Sequence, residues 1–249
     1  MKRWGIIILF FFSATAIALG QASTPGNFNV QLSLGNENGL NDFGVSIQIL
    51  LLMTVLTLAP TIVLMMTSFL RIVIVLGFVR QALGTMQSPP NQVIVGLALF
   101  ITLFVMTPVL ENVYEESYVP YENGSISSTE AFDRAMGEFK GFMLAQTRPE
   151  DLNFFLEVSG NGPTAISNVP MTVALPSFLL SELRTAFQMG IMIFIPFLVI
   201  DFVVASSLMS LGMMMMPPVM IAMPFKLLIF VLVDGWGLIL QSLVRSFGS

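Results

Sequence analysis

The ten residues Met209-Ser-Leu-Gly-Met-Met-Met-Met-Pro-Pro218 separate two long apolar segments near the end of the chain. Gly212 tolerates unusual backbone angles, and Pro217 and Pro218 lack the N–H that continues a helix, so the stretch predicts a turn. Methionine is unbranched and polarizable, so a cluster of methionines forms an apolar surface that repacks easily. The stretch, called here the methionine turn (209–218), is therefore either a deformable apolar seal or a turn packed into the protein core.

The composition is that of an integral membrane protein. Hydrophobic residues make up 55% of the 249 residues, charged residues make up 10%, and the mean hydropathy is +0.85. The chain has no cysteine and no histidine, which removes disulfides, thiolate nucleophiles and the usual zinc ligands. The net charge is −5, and the sequence has neither a basic stripe for nucleic acid nor a nucleotide loop. These features predict a membrane protein that is not an enzyme and binds no cofactor or metal.

The first twenty residues have the pattern of a secretory signal peptide. Lys2 and Arg3 form a positive segment, an apolar segment follows, and Ala18-Leu19-Gly20 supplies small residues at a cleavage site. Cleavage there leaves the mature N-terminus outside the cytoplasm. An uncleaved anchor helix is the alternative interpretation.

The apolar segments beyond this region predict four or five helices. A single helix over 45–86 would be about 60 Å long, twice the thickness of a hydrocarbon core, so it must bend or pack against protein. Interior prolines in four of the segments predict kinked helices packed in an assembly. The segments are Val45–Met66, Thr67–Met86, Asn91–Leu110, Phe187–Leu208 and Val219–Val244, and the prolines are Pro60, Pro108, Pro196 and Pro224.

Charge placement predicts a periplasmic region between two hydrophobic regions. With the mature N-terminus outside, Arg71 and Arg80 follow the first span on the cytoplasmic side. Residues 111–186, with eleven acidic and four basic residues, then lie outside the cytoplasm. The predicted division is a signal peptide at 1–20, a periplasmic linker at 21–44, a first hydrophobic helical region at 45–110, a periplasmic helical domain at 111–186, and a second hydrophobic region at 187–249.

The predicted periplasmic domain is small and helical. Ser127-Ser-Thr-Glu130 fits a capping box, and Phe132, Phe139 and Phe142 follow on one helical face. Pro149 predicts the start of a second helix, and a third begins at Pro176. The region is too short for a large core of its own, so we expect its apolar face to bind protein partners.

Three charged residues lie within apolar sequence: Asp201, Lys226 and Asp234. An ionisable side chain in such a position is normally paired or functional. If the segments beside the methionine turn run antiparallel, Asp201 and Lys226 differ in level by roughly 4.5 Å, so they are predicted to form an ion pair within or between subunits. A proton-coupled carrier that uses these two residues is the alternative function. Asp201 and Asp234 also suggest an intramembrane aspartyl protease, but Asp234 lacks the Gly-x-Gly that precedes the second aspartate of such proteases. Four further charges are candidates for buried pairs or contacts between subunits: Glu182, Arg184, Arg71 and Arg80.

Several stretches of the sequence resemble the FliP family of flagellar proteins, which has counterparts in injectisome type III secretion. They include Ser68-Phe-Leu-Arg-Ile-Val73, Gln81-Ala-Leu-Gly-Thr-Met-Gln-Ser-Pro-Pro-Asn91, Pro176-Ser-Phe-Leu-Leu-Ser-Glu-Leu-Arg184, Gly212-Met-Met-Met-Met-Pro-Pro218 and Val233-Asp-Gly-Trp236. With the first span they cover well over half of the chain. The signal peptide and the acidic insert favour the flagellar branch.

The resemblance implies an all-α membrane-associated subunit of the export gate in the flagellar basal body, at the bacterial inner membrane. Members of the family form a ring, thought to be a homopentamer, together with FliQ and FliR, and work with FlhA and FlhB. Unfolded flagellar subunits leave the cytoplasm through this channel. The family's methionine loop is thought to form a gasket in the pore; it corresponds here to Met209, Met213, Met214, Met215 and Met216. The resemblance also implies that much of the assembly is lifted toward the periplasm, so that hydropathy would overstate the contact of the nominal spans with lipid.

Overall fold

The computed structural model describes residues 39–85, 88–160, 162, 165, 168–212 and 217–248, with backbone only at 39–46 and 48. The predicted signal peptide and most of the predicted linker lie outside these residues. The described part is all-helical, as the sequence predicts, and contains no strand. Its α-helices are α1 Gly39–Met65, α2 Phe69–Ala82, α3 Asn91–Val113, α4 Val119–Glu122, α5 Ser128–Gln146, α6 Pro149–Val158, α7 Met171–Ser210, α8 Pro218–Leu232 and α9 Gly235–Arg245, with a π-helical turn at Tyr114–Tyr118 between α3 and α4.

The described helices are consistent with two to four membrane spans. Two are long and apolar enough to cross a membrane: the run Asn91–Glu122, which includes α3 and α4, and α7. Two more spans result if each broken pair of helices counts as one, namely Ile49–Met65 with Phe69–Ala82, and Pro218–Leu232 with Gly235–Arg245. The upper number is that of the four-span topology predicted from the sequence.

The chain divides into two compact units between Val63 and Leu64. In the first unit, α1 carries large apolar side chains that are exposed from Leu50 to Leu58. In the second unit, the helix ends at Met65, and Thr67 stabilises the break by donating a hydrogen bond from Oγ1 to the carbonyl of Leu64 at 2.7 Å. The segment 45–86 is therefore not one helix, as its excessive length predicts.

Helix α2 lies at the centre of the second unit. Its buried side chains Ile72, Val75, Leu76 and Val79 recur at helical spacing. The first three pack against α3, α7 and α9 through one cluster of buried residues completed by Ile94, Ala98, Ala186 and Leu243. Val79 belongs to a second cluster with Ala82, Leu83, Phe197 of α7 and Phe230 of α8. Helix α2 is thus the element to which the long helices attach.

Helices α5, α6 and the first part of α7 form the small helical region predicted from the sequence. The Ser127 side chain accepts a hydrogen bond from the N–H of Glu130, and Pro149 is the first residue of α6, so both predicted helix starts are confirmed. The predicted binding face is only partly available. Phe139 and Phe142 pack against α7 inside the chain, whereas Phe132 is exposed.

Helix α7 begins at Met171, five residues before the predicted start at Pro176, because Pro170 caps it and Pro176 fits within its first turns. The helix then continues through residues 186 and 187. The predicted border between the periplasmic domain and the second hydrophobic region therefore falls inside one helix, and the functional division stays a prediction. Pro60, Pro108, Pro196 and Pro224 all lie inside helices.

The predicted apolar segment Val219–Val244 consists of two helices with a break between them, which the sequence interpretation did not predict. Helices α8 and α9 meet at a bend of 65°. Asp234 adopts a left-handed backbone (φ 51°) and its carboxylate accepts the N–H of Gly237 at 3.4 Å. A Cβ at Gly235 would lie 2.3 Å from the Phe230 ring, so only glycine allows this close approach. Asp234 is consequently an exposed helix cap at the break between α8 and α9.

Candidate functional site: the methionine turn and the buried charges

The methionine turn connects α7 to α8. Helix α7 ends at Ser210, Gly212 has the left-handed φ of 73° that glycine tolerates, and Pro217 caps α8. Met209 is 58% exposed, and Met213–Met216 lie outside the described residues. No charged residue occurs between Asp201 and Lys226 in the sequence. The two helix arms thus lead to an uncharged tip.

Lys226 and Asp201 face each other on the two arms of this hairpin. The Lys226 ammonium donates to Asp201 Oδ2 at 2.5 Å and to the backbone carbonyl of Ala82 at 3.1 Å. Lys226 is only 2% exposed, whereas the Asp201 side chain is 30% exposed. Ala82 is the last residue of α2, where the helix dipole favours a positive charge. Lys226 therefore connects three helices.

Asp201 is incompletely paired within the described residues. Its second carboxylate oxygen, Oδ1, is shielded from solvent and has no hydrogen-bond partner there. A buried oxygen without a donor is costly and marks either a strained contact or a group that interacts with something further.

Arg71 forms a second and more extensive charged cluster. Its Nε donates to Glu182 Oε2 at 2.9 Å, and its Nη2 donates to the other oxygen of the same carboxylate. Its remaining donors reach the Ser246 carbonyl at 3.0 Å, the Ser246 hydroxyl at 2.9 Å and Gln146 Oε1 at 3.3 Å. The structure thus places Arg71 in a buried cluster within the chain, in line with the predicted buried pair.

The Arg71 cluster also holds the end of the chain. The guanidinium lies 3.9 Å from the ring centroid of Phe247, and Gln146 Nε2 donates to the Phe247 carbonyl at 3.2 Å. Phe247 stacks in turn on Phe142 of α5. The residues that follow α9 are therefore connected to α2 and α5.

A third polar cluster joins α6 to α7. Arg184 Nη2 lies 3.2 Å from Asp151 Oδ1, and Glu150 is 3.5 Å from the same guanidinium. The Ser181 hydroxyl donates to Asp151 Oδ2 at 2.7 Å and accepts the backbone N–H of Arg148 at 3.0 Å. Arg184 and Glu182 are close in sequence but have different partners, because they lie on different sides of α7.

Arg80 is separate from these clusters. Its Nη1 donates to Asn91 Oδ1 at 2.5 Å and reaches the Pro89 carbonyl at 3.4 Å, so it connects the two ends of the segment between α2 and α3. Arg71 and Arg80 differ by nine positions and point to opposite sides of α2, in line with their spacing.

Sequence reasoning named six charged residues but missed most of their neutral partners. No local sequence pattern separates these partners from other residues. They are the Ala82 carbonyl, Gln146, Ser181, Ser246 and Phe247. Their roles arise from contacts across large sequence distances, which one sequence does not encode as spacing. The Asp234-Gly235 turn, in contrast, has a local signal, since this dipeptide favours turns even within an apolar run.

A search for known families matched residues 52–243 of the chain to the model described as the FliP family. The match covers more than half of the chain. The chain belongs to the FliP family.

Curated FliP relatives support this assignment over almost the whole length. The flagellar biosynthetic protein FliP of Pectobacterium carotovorum subsp. carotovorum is 50% identical over 252 aligned residues, which cover 100% of this chain and 94% of the relative. That of Bacillus subtilis (strain 168) is 52% identical and covers 81% and 92% of the two chains. That of Borreliella burgdorferi is 43% identical and covers 95% and 96%.

Membership in the FliP family gives the chain a general role. It is a component of flagellum biosynthesis and protein export, with helices that are able to span a membrane. The family resemblance predicted from the sequence motifs is therefore confirmed.

Proposed function

We propose that this chain is the core pore-forming subunit of the flagellar type III protein export gate, through which unfolded flagellar subunits cross the inner membrane. The observation that carries the proposal is the hairpin of α7 and α8. Its tip is free of charge over residues 202–225, and its base is fixed by the buried contact of Lys226 with Asp201 and α2. An anchored base and an uncharged tip suit an element that closes a channel.

The methionines at the tip supply the chemistry of closure. A pore for unfolded chains must pass side chains of every kind, yet hold back ions when idle. Flexible thioethers from several subunits would form an apolar constriction that excludes water and still yields to a passing chain. We assign this gasket to Met209 and Met213–Met216.

A ring of subunits is needed to bring several such turns to one axis. Helix α7 carries a long run of large apolar side chains that the chain itself leaves exposed, and lipid or protein must cover them. They are Phe187, Ile191, Met192, Ile195, Leu198, Val199, Phe202 and Val203. We propose that copies of the chain, as a pentamer with FliQ and FliR, cover part of this surface, and that FlhA and FlhB act with the ring. The helical region of α5 and α6 would lie in the periplasm.

Replacement of Met213, Met214 and Met215 by alanine tests the gasket. We expect assembly to be intact and the membrane of expressing cells to leak small ions, whereas replacement by leucine seals but slows export. The control is Met53→Ala, since Met53 is an exposed methionine on α1, outside the turn and outside the α7 surface. Unchanged ion conductance in an assembled alanine variant would refute the gasket.

The oligomer is tested by native mass measurement after extraction in mild detergent. We expect a ring-sized complex that contains several copies of the chain. A well-folded monomer would contradict the ring and favour the second candidate, a proton-coupled carrier. The observation that favours this candidate is the buried Oδ1 of Asp201, which has no hydrogen-bond partner among the described residues.

A further inference from the structure

Lys226 has a second acceptor besides Asp201, the backbone carbonyl of Ala82 at the end of α2. The last carbonyls of a helix have no partner within that helix, and a buried carbonyl needs a donor. Ala82 is fully buried at the end of α2, and Lys226 Nζ donates to its carbonyl at 3.1 Å. Water cannot replace this donor easily, because Ala82 and Lys226 are both shielded from solvent.

Asp201 is in a different position. Its side chain is 30% exposed, although Oδ1 is shielded, so the surroundings of Asp201 are more open to water than those of Ala82 and Lys226. Of the two contacts of Lys226, the one to the helix end is therefore the harder to replace. If the ammonium served only to neutralise Asp201, the contact with Asp201 would instead be the harder one to replace.

The contact brings the end of α2 next to the start of α8. Gly84, just after α2, has a φ of 75°, and a Cβ built on it would lie 3.8 Å from a methyl group of Val219. Thr85 and Val219 line the same shallow groove, and the Thr85 hydroxyl donates to the Arg80 carbonyl at 3.3 Å. Val219 is the second residue of α8, directly after the methionine turn.

We propose that Lys226 is a positioning residue that fixes the C-terminal end of α2 against the first turn of α8, and that it does so through the Ala82 carbonyl and not through Asp201. The methionine turn then has a fixed boundary on its α8 side that depends on Lys226 even when the aspartate is neutral. This inference goes beyond the gate function and does not depend on it.

Cysteine cross-linking in the full-length assembled protein tests the proposal, because the natural chain contains no cysteine. Thr85→Cys and Val219→Cys are joined with a short thiol-reactive reagent, and the cross-linking rate is measured. A control pair, Asn112→Cys with Glu138→Cys, reports on α3 and α5, where these two side chains hydrogen-bond at 3.1 Å.

Loss of the donor is expected to separate the two helix ends. Lys226→Met lowers the 85–219 cross-linking rate by roughly tenfold or more, as expected for a lost hydrogen bond to a charged group. Asp201→Asn changes it by less than about twofold, since the ammonium still binds Ala82. Lys226→Arg restores the rate because the guanidinium keeps the donors. An equal loss in Lys226→Met and Asp201→Asn would overturn the proposal.

Lys226→Met alone could also lower the control cross-link by unfolding the chain. In that case two double variants that lack both charges test the proposal instead. The double variants Asp201→Asn/Lys226→Gln and Asp201→Asn/Lys226→Met both lack the ion pair and any lone buried charge. Only the first keeps an N–H donor at position 226. We expect it to cross-link faster than the second; equal rates would overturn the proposal. Ion leakage in the same cells is measured separately, so a failed gasket is distinguished from a failed helix contact.

Discussion

Arg71 and Lys226 are both buried cations that connect α2 to α7, yet their surroundings differ. Arg71 donates to three different residues, Glu182, Ser246 and Gln146, and stacks on the Phe247 ring. Lys226 has two acceptors, of which one belongs to the backbone. The guanidinium forms a planar fork that can satisfy many acceptors at once, whereas the ammonium is a compact charge on a flexible stem.

The acidic partners of the two cations, Glu182 and Asp201, also differ in burial and in how completely their oxygens are hydrogen-bonded. Glu182 is fully buried, and both of its carboxylate oxygens accept from Arg71. Asp201 is 30% exposed, and one of its oxygens has no partner among the described residues. A fully satisfied network is rigid, and a partly satisfied one has room to change partners. The Arg71 cluster is thus fully satisfied, whereas at the base of the methionine hairpin only the Asp201 side of the contact has room to change partners.

The largest effect is expected from breaking the Arg71 cluster. Arg71→Met leaves Glu182 buried without its cation, and the loss of a single partner from a buried pair costs about 3–5 kcal/mol. The shift in unfolding is measured by denaturant titration at fixed protein concentration in mild detergent. The double variant Arg71→Met/Glu182→Met should recover much of the loss, since no lone charge remains.

An exposed pair provides the control for this prediction. Arg134 and Glu130 are about half exposed and lie one turn apart on α5 at 2.7 Å. Arg134→Met should therefore shift stability by less than about 1 kcal/mol. If Arg71→Met were no worse than Arg134→Met, the Arg71 cluster would not be a rigid network.

A smaller effect is expected at the hairpin base. Asp201→Asn removes the charge from one partner, and a hydrogen bond to a charged group contributes about 1.5–3 kcal/mol; partial exposure places the loss toward the lower end. We expect assembly, measured as the yield of ring-sized complex, to fall more in Asp201→Asn than in Asp201→Asn/Lys226→Met, because the double variant leaves no lone charge. Normal assembly of Asp201→Asn together with blocked export would instead support a proton-linked role for Asp201.

The comparison also shows which parts of the structure the sequence predicts. Local signals predicted the turn at Gly212, the cap at Ser127 and the start of α6 at Pro149, because each depends on the conformational preference of one or two residues. The helix break at Asp234 was not predicted, because the turn dipeptide Asp234-Gly235 lies within a long apolar run that hydropathy treats as one segment.

Contacts between distant residues were accessible only in part. The pairing of Asp201 with Lys226 follows from their similar distances to one turn, so simple helix geometry was enough to propose it. Arg71 and Glu182 are separated by 111 positions and by several helices, so no spacing rule relates them. The inward packing of Phe139 and Phe142 was missed for the same reason, since α7 provides the surface that covers them.

The smallest effect is expected for Gln146, and it tests whether the Arg71 cluster depends on every contact. Gln146→Met removes a 3.3 Å bond from Arg71 and a 3.2 Å bond to the Phe247 carbonyl. Arg71 keeps its other acceptors, so we expect a loss of about 1 kcal/mol, that of an ordinary hydrogen bond, in the same denaturant titration.

The matched control for this variant is Gln188→Met, because Gln188 is an exposed residue of α7 that accepts only from Arg148 among the contacts described for it. Surface substitutions of this kind usually change stability by less than about 0.5 kcal/mol. A loss in Gln146→Met as large as that in Arg71→Met would mean that the cluster fails when any one contact is removed. Arg71 and Lys226 would then differ in the number of their contacts but not in how firmly they hold the helices together.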